Sequence, residues 1–186
     1  YDDDQIFRMK VGTCTKGEYK GRVIVPSFDE QGDLNYFIAR TYANDFPKYK
    51  NPKVSKASMV FNELTINFNR PIIVVEGVFD AIKAGDNSIP MLGSWIDESH
   101  YLFKKIVQER TPVVLGLDPD AIEKTMKIAK NFKQYGIDVR ITQHEGKDFG
   151  DMSKEEANYY IQSAQKYELT DRIGYLIQSI SSGSIF

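Results

Sequence analysis

Residues 72–80 read Ile72-Ile73-Val74-Val75-Glu76-Gly77-Val78-Phe79-Asp80: four branched apolar residues, a glutamate, a glycine, and then a change of texture. A continuous run of branched apolar residues is the pattern of a strand buried on both faces. The glycine permits a tight turn into a helix, which puts Glu76 at the end of the strand. The same texture returns at Ile89 to Leu92, Val113 to Leu117 and Val139 to Thr142, with helical stretches between. Short apolar strands alternating with helices predict an α/β architecture, a parallel sheet built from βαβ units. Between the last two runs, Ala121, Ile122, Thr125, Met126, Ala129 and Phe132 share one helical face, while Glu123, Lys124, Lys127, Lys130 and Lys133 share the other. That helix is expected to pack on the sheet with its lysines in solvent and to end at Gly136 in a left-handed position.

Upstream of Arg70-Pro71 the texture is different. Arg22 to Phe28 and Leu34 to Arg40 are β-rich runs separated by the polar Asp29-Glu30-Gln31-Gly32-Asp33, which predicts a hairpin. Pro26 inside the first run favours a sheet edge. Tyr42 to Ser58, with Pro47 and Pro52, reads as an ordered loop. From Ser153 onward the chain reads as helical, with Ser153 and Glu156 spaced as a capping box and the Ser-rich end, Ser179 to Ser184, frayed. The expected organisation is a small mixed α/β, hairpin-containing part over 1–69, a larger α/β part over 70–152 and a helical segment over 153–186.

With 186 residues, 41% of them hydrophobic and 27% charged, the chain suits one α/β domain with a smaller companion and not a disordered segment. A formal charge of −2 gives no global basic signature, so nucleic-acid binding would have to come from a local patch. The single cysteine, Cys14, excludes an internal disulfide, and with only His100 and His144 a four-ligand zinc site is not expected. No apolar run approaches the roughly 18 residues that span a bilayer. The acidic start Tyr1-Asp2-Asp3-Asp4 is opposite in sign to a secretory leader. A cytoplasmic location is expected, and the first residue, which is not methionine, suggests a piece of a longer or processed chain.

Functional groups in a parallel sheet collect where strands end. Three acidic motifs fall at such ends: Val75-Glu76-Gly77, Leu117-Asp118-Pro119-Asp120, and Gly146-Lys147-Asp148-Phe149-Gly150-Asp151. Clustered carboxylates repel one another, and a hard divalent cation, Mg²⁺ or Mn²⁺, supplies the compensating charge. Such a site suits phosphoryl transfer. Each motif also has a plain structural reading: a turn at Glu76, a helix N-cap and first-turn acid at Asp118 and Asp120, a solvated loop at 147–151. Their joint occurrence, in order and at successive strand ends, favours the metal site.

The run from Ile73 to Asp80, followed by Asp118-x-Asp120 and a third acidic motif, resembles the Toprim domain of bacterial-type DNA primases, topoisomerases and some nucleases. Met91-Leu92-Gly93-Ser94 resembles the small-residue turn after the second strand. Upstream, Gly21 to Pro26, Gly32, Tyr36 to Arg40 and Pro47-Lys48-Tyr49-Lys50-Asn51-Pro52 resemble the primase hairpin and the segment after it, so the likeness covers about residues 20 to 152 and is to DnaG-like primase cores, most closely the compact bacteriophage form. It implies a four-stranded, mainly parallel Toprim sheet flanked by helices and preceded by the smaller subdomain. It also implies template-directed condensation of ribonucleoside triphosphates into a short RNA primer on single-stranded DNA.

In that reading Glu76, Asp118 and Asp120 are catalytic, and with Asp148 they hold Mg²⁺ or Mn²⁺; Glu76 alternatively serves as general acid or base. A replicative helicase and a zinc-binding primase module are implied partners, and the host cytoplasm is the location if the chain is bacteriophage-encoded. The sequence departs from the family after Asp120, where Ala121-Ile122-Glu123 replaces a small residue and glycine, and at Gly150, where a second aspartate is usual and Asp151 comes one later. These departures keep open a DNA-binding module without catalysis, and the same metal chemistry, with water as nucleophile, keeps open a Toprim nuclease or strand-cleaving enzyme. The stretch from Arg40 to Lys56 carries Arg40, Lys48, Lys50, Lys53 and Lys56 against Asp45 alone, interleaved with Tyr42, Phe46 and Tyr49. Cations that neutralise phosphates beside rings that stack bases make it the candidate for nucleic-acid or nucleotide binding. The resemblance points to Arg40 and Lys48 first.

Overall fold

The computed structural model describes residues 1–43, 46–93, 95–144 and 146–168. A short helix, α1 (Asp3–Arg8), is capped by Asp2 and leads into strands β1 (Gly12–Cys14), β2 (Arg22–Phe28) and β3 (Leu34–Thr41), which form an antiparallel sheet in that order. The expected hairpin is β2 and β3, in register from Arg22 opposite Thr41 to Phe28 opposite Leu34. β2 is nonetheless the central strand and not the edge that Pro26 suggested. The reason is local: β1 pairs only as far as Ile24, so no strand lies on that side of Pro26 to need its missing N–H.

The segment after β3 is ordered by folding back on the strand's end. The Thr41 N–H donates to the Lys48 carbonyl at 3.0 Å, and the Lys50 N–H donates to the Ala39 carbonyl at 2.9 Å. The buried Arg22 guanidinium fixes the bend by donating to the carbonyls of Pro47 at 2.9 Å and Lys48 at 3.3 Å.

The second sheet comprises β4 (Ile72–Val75), β5 (Ser88–Pro90), β6 (Val113–Gly116), β7 (Val139–Ile141) and β8 (Gln165–Lys166), in the spatial order β5-β4-β6-β7-β8. The first four are parallel, and β8 pairs antiparallel to β7. The sheet therefore has a fifth strand beyond the four expected. It comes from the segment read as wholly helical, which forms α5 (Lys154–Gln162) and then β8. Residues 169–186, with the Ser-rich end, lie outside the described residues. Because side chains alternate along a strand, Ile72 and Val74 enter one core and Ile73 and Val75 the other.

Helices α3 (Tyr101–Glu109) and α4 (Ile122–Gln134) cover the first face, with Phe103 stacked on Phe132 at 4.6 Å. Helix α2 (Val78–Ala84) and α5 cover the second, through Ala81, Ala84, Phe149, Met152 and Ala157. The apolar face predicted for α4 is buried at Thr125, Met126, Ala129 and Phe132, and Gly136 takes φ +76° directly after the helix. A third cluster joins the two sheets: Met9, Val25, Tyr36, Ile38 and Phe61 pack on Val78 and Ile82 of α2. No helix among the described residues is long and apolar enough to cross a membrane.

Candidate active site

The chain runs from β4 outward to β5 and then returns to β6 on the other side of β4. That reversal opens a crevice beyond the carboxyl ends of β4 and β6. Glu76, one residue past β4, and Asp118 and Asp120, just past β6, line a single cleft of about 600 Å³ there, together with Trp95, Ala121, Glu123, Lys124 and Lys127. Asp118 and Asp148 each stand at the entrance of a short 3-10 turn, 119–121 and 149–151, yet neither side chain makes a capping hydrogen bond. The first residue before α4 is Ala121, and no side chain caps that helix either. The capping role that could have explained Asp118 is thus not performed, whereas Asp120 does occupy the first turn of the 3-10 element.

Electrostatics register their convergence. The Asp118 carboxyl is held up to about 7, first by burial and then by the negative charges of Glu76, Asp148, Asp80 and Asp120. The third motif therefore faces the first two through Asp148, whereas the charge of Asp151 is felt by Tyr1. Among the described residues, no three of the histidine, cysteine, aspartate and glutamate side chains are gathered into a ready-made metal cage. Among the described residues, the cation paired with Glu76 is one the sequence had placed in solvent: Lys124 Nζ lies 2.6 Å from Glu76 Oε1.

Asp80 supports the arrangement from beneath. Its carboxylate accepts the Gly77 N–H at 2.8 Å and the Gly150 N–H at 2.9 Å, tying the turn after β4 to the third motif. Burial raises its pKa, and the two N–H bonds oppose that rise. A Cβ on Gly77 or Gly150 would come within 2.9 Å of this carboxylate. Gly77 sits in the expected tight turn between β4 and α2 with φ −120°, so what it supplies there is room for Asp80 and not a left-handed backbone. Gly116, at the end of β6, lets Phe149 press against the strand, since a Cβ there would meet the ring at 2.8 Å. With Phe149 buried, Asp148 is anchored one residue before a fixed ring.

No family model matches the chain. It is 25% identical over 137 residues, 67% of its length, to the DNA primase of Staphylococcus aureus (strain COL). The chain spans about a quarter of that relative's length, 23% of it. Among solved structures it is similar to the DnaG primase catalytic domain bound to single-stranded DNA, with TM-score 0.66, 19% identity, and coverage of 87% of this chain and 58% of that one. It is also similar to the Aquifex aeolicus primase zinc-binding and RNA polymerase domains, with TM-score 0.67, 22% identity, and coverage of 87% and 46%. The fold is that of the DnaG primase catalytic core. Within this primase-core fold the crevice lies at the switch point of the mainly parallel sheet, and the hairpin sheet stands beside it.

The basic and aromatic segment from Arg40 to Lys56 is partly committed to its own surroundings. The Arg40 guanidinium lies over the Phe79 ring at 4.9 Å and the Tyr49 ring at 5.7 Å, so it reaches the turn that follows Glu76. Lys48 lies over Tyr49 at 6.0 Å. Lys50 is paired with Glu18 at 3.1 Å and sits over Tyr19. Lys53 and Lys56 are exposed, as are Tyr42 and Phe46, the latter 96% so; Asp45 lies outside the described residues. His144 does not reach the cleft: it is buried against Phe149 and Tyr160, its Nδ1 is 3.0 Å from the Thr142 hydroxyl, and burial lowers its pKa. Trp95 both packs on the core and lines the cleft.

Proposed function

We propose that this chain is the catalytic core of a DNA primase, which condenses ribonucleoside triphosphates into a short RNA primer on single-stranded DNA and releases pyrophosphate. The observation that carries the reading is the meeting of Glu76, Asp118 and Asp120 in one crevice, uncapped, with the charge of Asp148 acting on Asp118. An all-carboxylate set with too much negative charge fits a hard divalent cation, Mg²⁺ or Mn²⁺, held by a few carboxylates together with substrate phosphates. Such an ion, when bound, lowers the pKa of an attacking hydroxyl and offsets charge on the leaving pyrophosphate.

In this reading Glu76, Asp118, Asp120 and Asp148 hold the ion, and Glu76 is also the group able to take the hydroxyl proton. Asp80 and Phe149 keep the first and third motifs at a fixed separation. Arg40, beside Phe79, and Lys48 contact triphosphate or template phosphates, while Lys50, Lys53 and Lys56 extend the positive path and the exposed rings of Tyr42 and Phe46 stack bases. Residues 1–69 are the template-side subdomain, 70–152 the Toprim metal centre and 153–186 the C-terminal segment, whose strand β8 borders the sheet. A cytoplasmic site of action, a replicative helicase and a zinc-binding primase module complete the proposed setting.

The test is incorporation of labelled ribonucleotides on single-stranded DNA with Mg²⁺ or Mn²⁺, using the chain and its Asp118→Ala/Asp120→Ala double variant. Template-dependent short RNA from the first and none from the second is the expected outcome. Metal-dependent cutting of the DNA without RNA would replace the primase reading with a nuclease, and DNA binding with neither reaction would replace it with a binding module.

A further inference from the structure

We propose that Lys124 is a displaceable counter-ion that couples metal binding to nucleotide binding, an inference that rests on the reading of Glu76, Asp118 and Asp120 as a metal site. Lys124 lies in the first turn of α4, where the helix dipole favours acids and disfavours cations. The sequence nevertheless places a lysine there, and its ammonium crosses to Glu76, 48 positions away in the chain, at 2.6 Å. Both side chains are largely withdrawn from solvent, 22% and 26% exposed. Other lysines of the same helix make different contacts: Lys127 pairs with Glu123 one turn away, and Lys133 pairs with Glu168. Lys127 also lines the crevice, but Lys124 is the lysine of α4 paired with Glu76.

The consequence follows from charge competition. A cation arriving alone must separate Lys124 from Glu76 and leaves the ammonium without a partner in a cleft of about 600 Å³. A cation arriving on a triphosphate brings phosphate oxygens that replace the glutamate as that partner. Lys124 accordingly weakens binding of the bare ion and strengthens binding of the ion with nucleotide, and the two ligands become positively coupled.

Mn²⁺ titration followed by paramagnetic resonance, on the intact chain alone and with a non-hydrolysable ribonucleoside triphosphate, tests this. Lys124→Met is expected to tighten binding of Mn²⁺ alone about fivefold, the upper range for an ion pair that keeps some contact with solvent, and to reduce the enhancement that the nucleotide gives. Lys124→Arg should keep the enhancement. Lys127→Met, which removes a charge from the same cleft without touching Glu76, should change bare-ion binding by less than Lys124→Met. An unchanged or weaker Mn²⁺ affinity in Lys124→Met, or an equal effect of Lys127→Met, overturns the proposal while leaving the metal site standing. No Mn²⁺ binding by the unsubstituted chain, shown to be folded by circular dichroism, overturns the metal-site reading itself.

Discussion

Asp118 concentrates the electrostatic strain of the crevice. Its folded pKa of about 7 lies above the ordinary 3.8, so protonation favours the folded state. Its contribution to stability is complete below about 4 and is lost as pH rises through 7. In the metal-free chain, Asp118→Asn is therefore expected to raise the melting temperature at pH 8 by more than at pH 5, read by thermal denaturation in the presence of a chelator. An equal gain at both pH values would mean that the neighbouring carboxylates do not press on Asp118. The acids were legible in the sequence because strand ends can be read from apolar runs, and an acid at such an end has few other duties. Lys124 was not, because a lysine on a polar helical face looks the same whether it meets water or a glutamate brought near by the sheet. Asp80 was visible as part of a resemblance, but its two backbone partners belong to turns whose approach only the fold creates.

Among elements, the parallel strands and α4 were the most legible, since period and burial agree along them. The position of β2 was misread because proline forbids a neighbour only along the few residues where the neighbour would run, and β1 is shorter than β2. β8 left no signal, for two residues are too few to show alternation. The third motif depends on β6 through Gly116. In Gly116→Ala the new methyl would press on the buried Phe149 ring, which has little room to yield. The expected cost is about 1–3 kcal/mol in chemical denaturation, with a loss of primer synthesis larger than the stability change alone explains. If activity falls only in proportion to unfolded protein, Phe149 does not position Asp148.

At the scale of the whole molecule, the hairpin sheet and the parallel sheet are joined by apolar packing across α2. Ile38 belongs to the first sheet, while the single tryptophan, Trp95, packs on the core of the second. Ile38→Ala should cost about 2–5 kcal/mol and shift the unfolding midpoint seen by tryptophan fluorescence as much as that seen by circular dichroism. Two separated transitions would instead mean that the parts fold independently. The sheet topology has one more effect, on what the chain does to its own copies. Strands at sheet borders are templates on which a second molecule can add a strand and begin a fibre. Here one border, β5, is buried at all three residues and ends in Pro90, and the other, β8, is two residues long and carries Lys166. Among the described residues neither border of this sheet offers the long, flat, unpaired backbone that such growth requires, so the parallel sheet is protected at both margins from recruiting its neighbours.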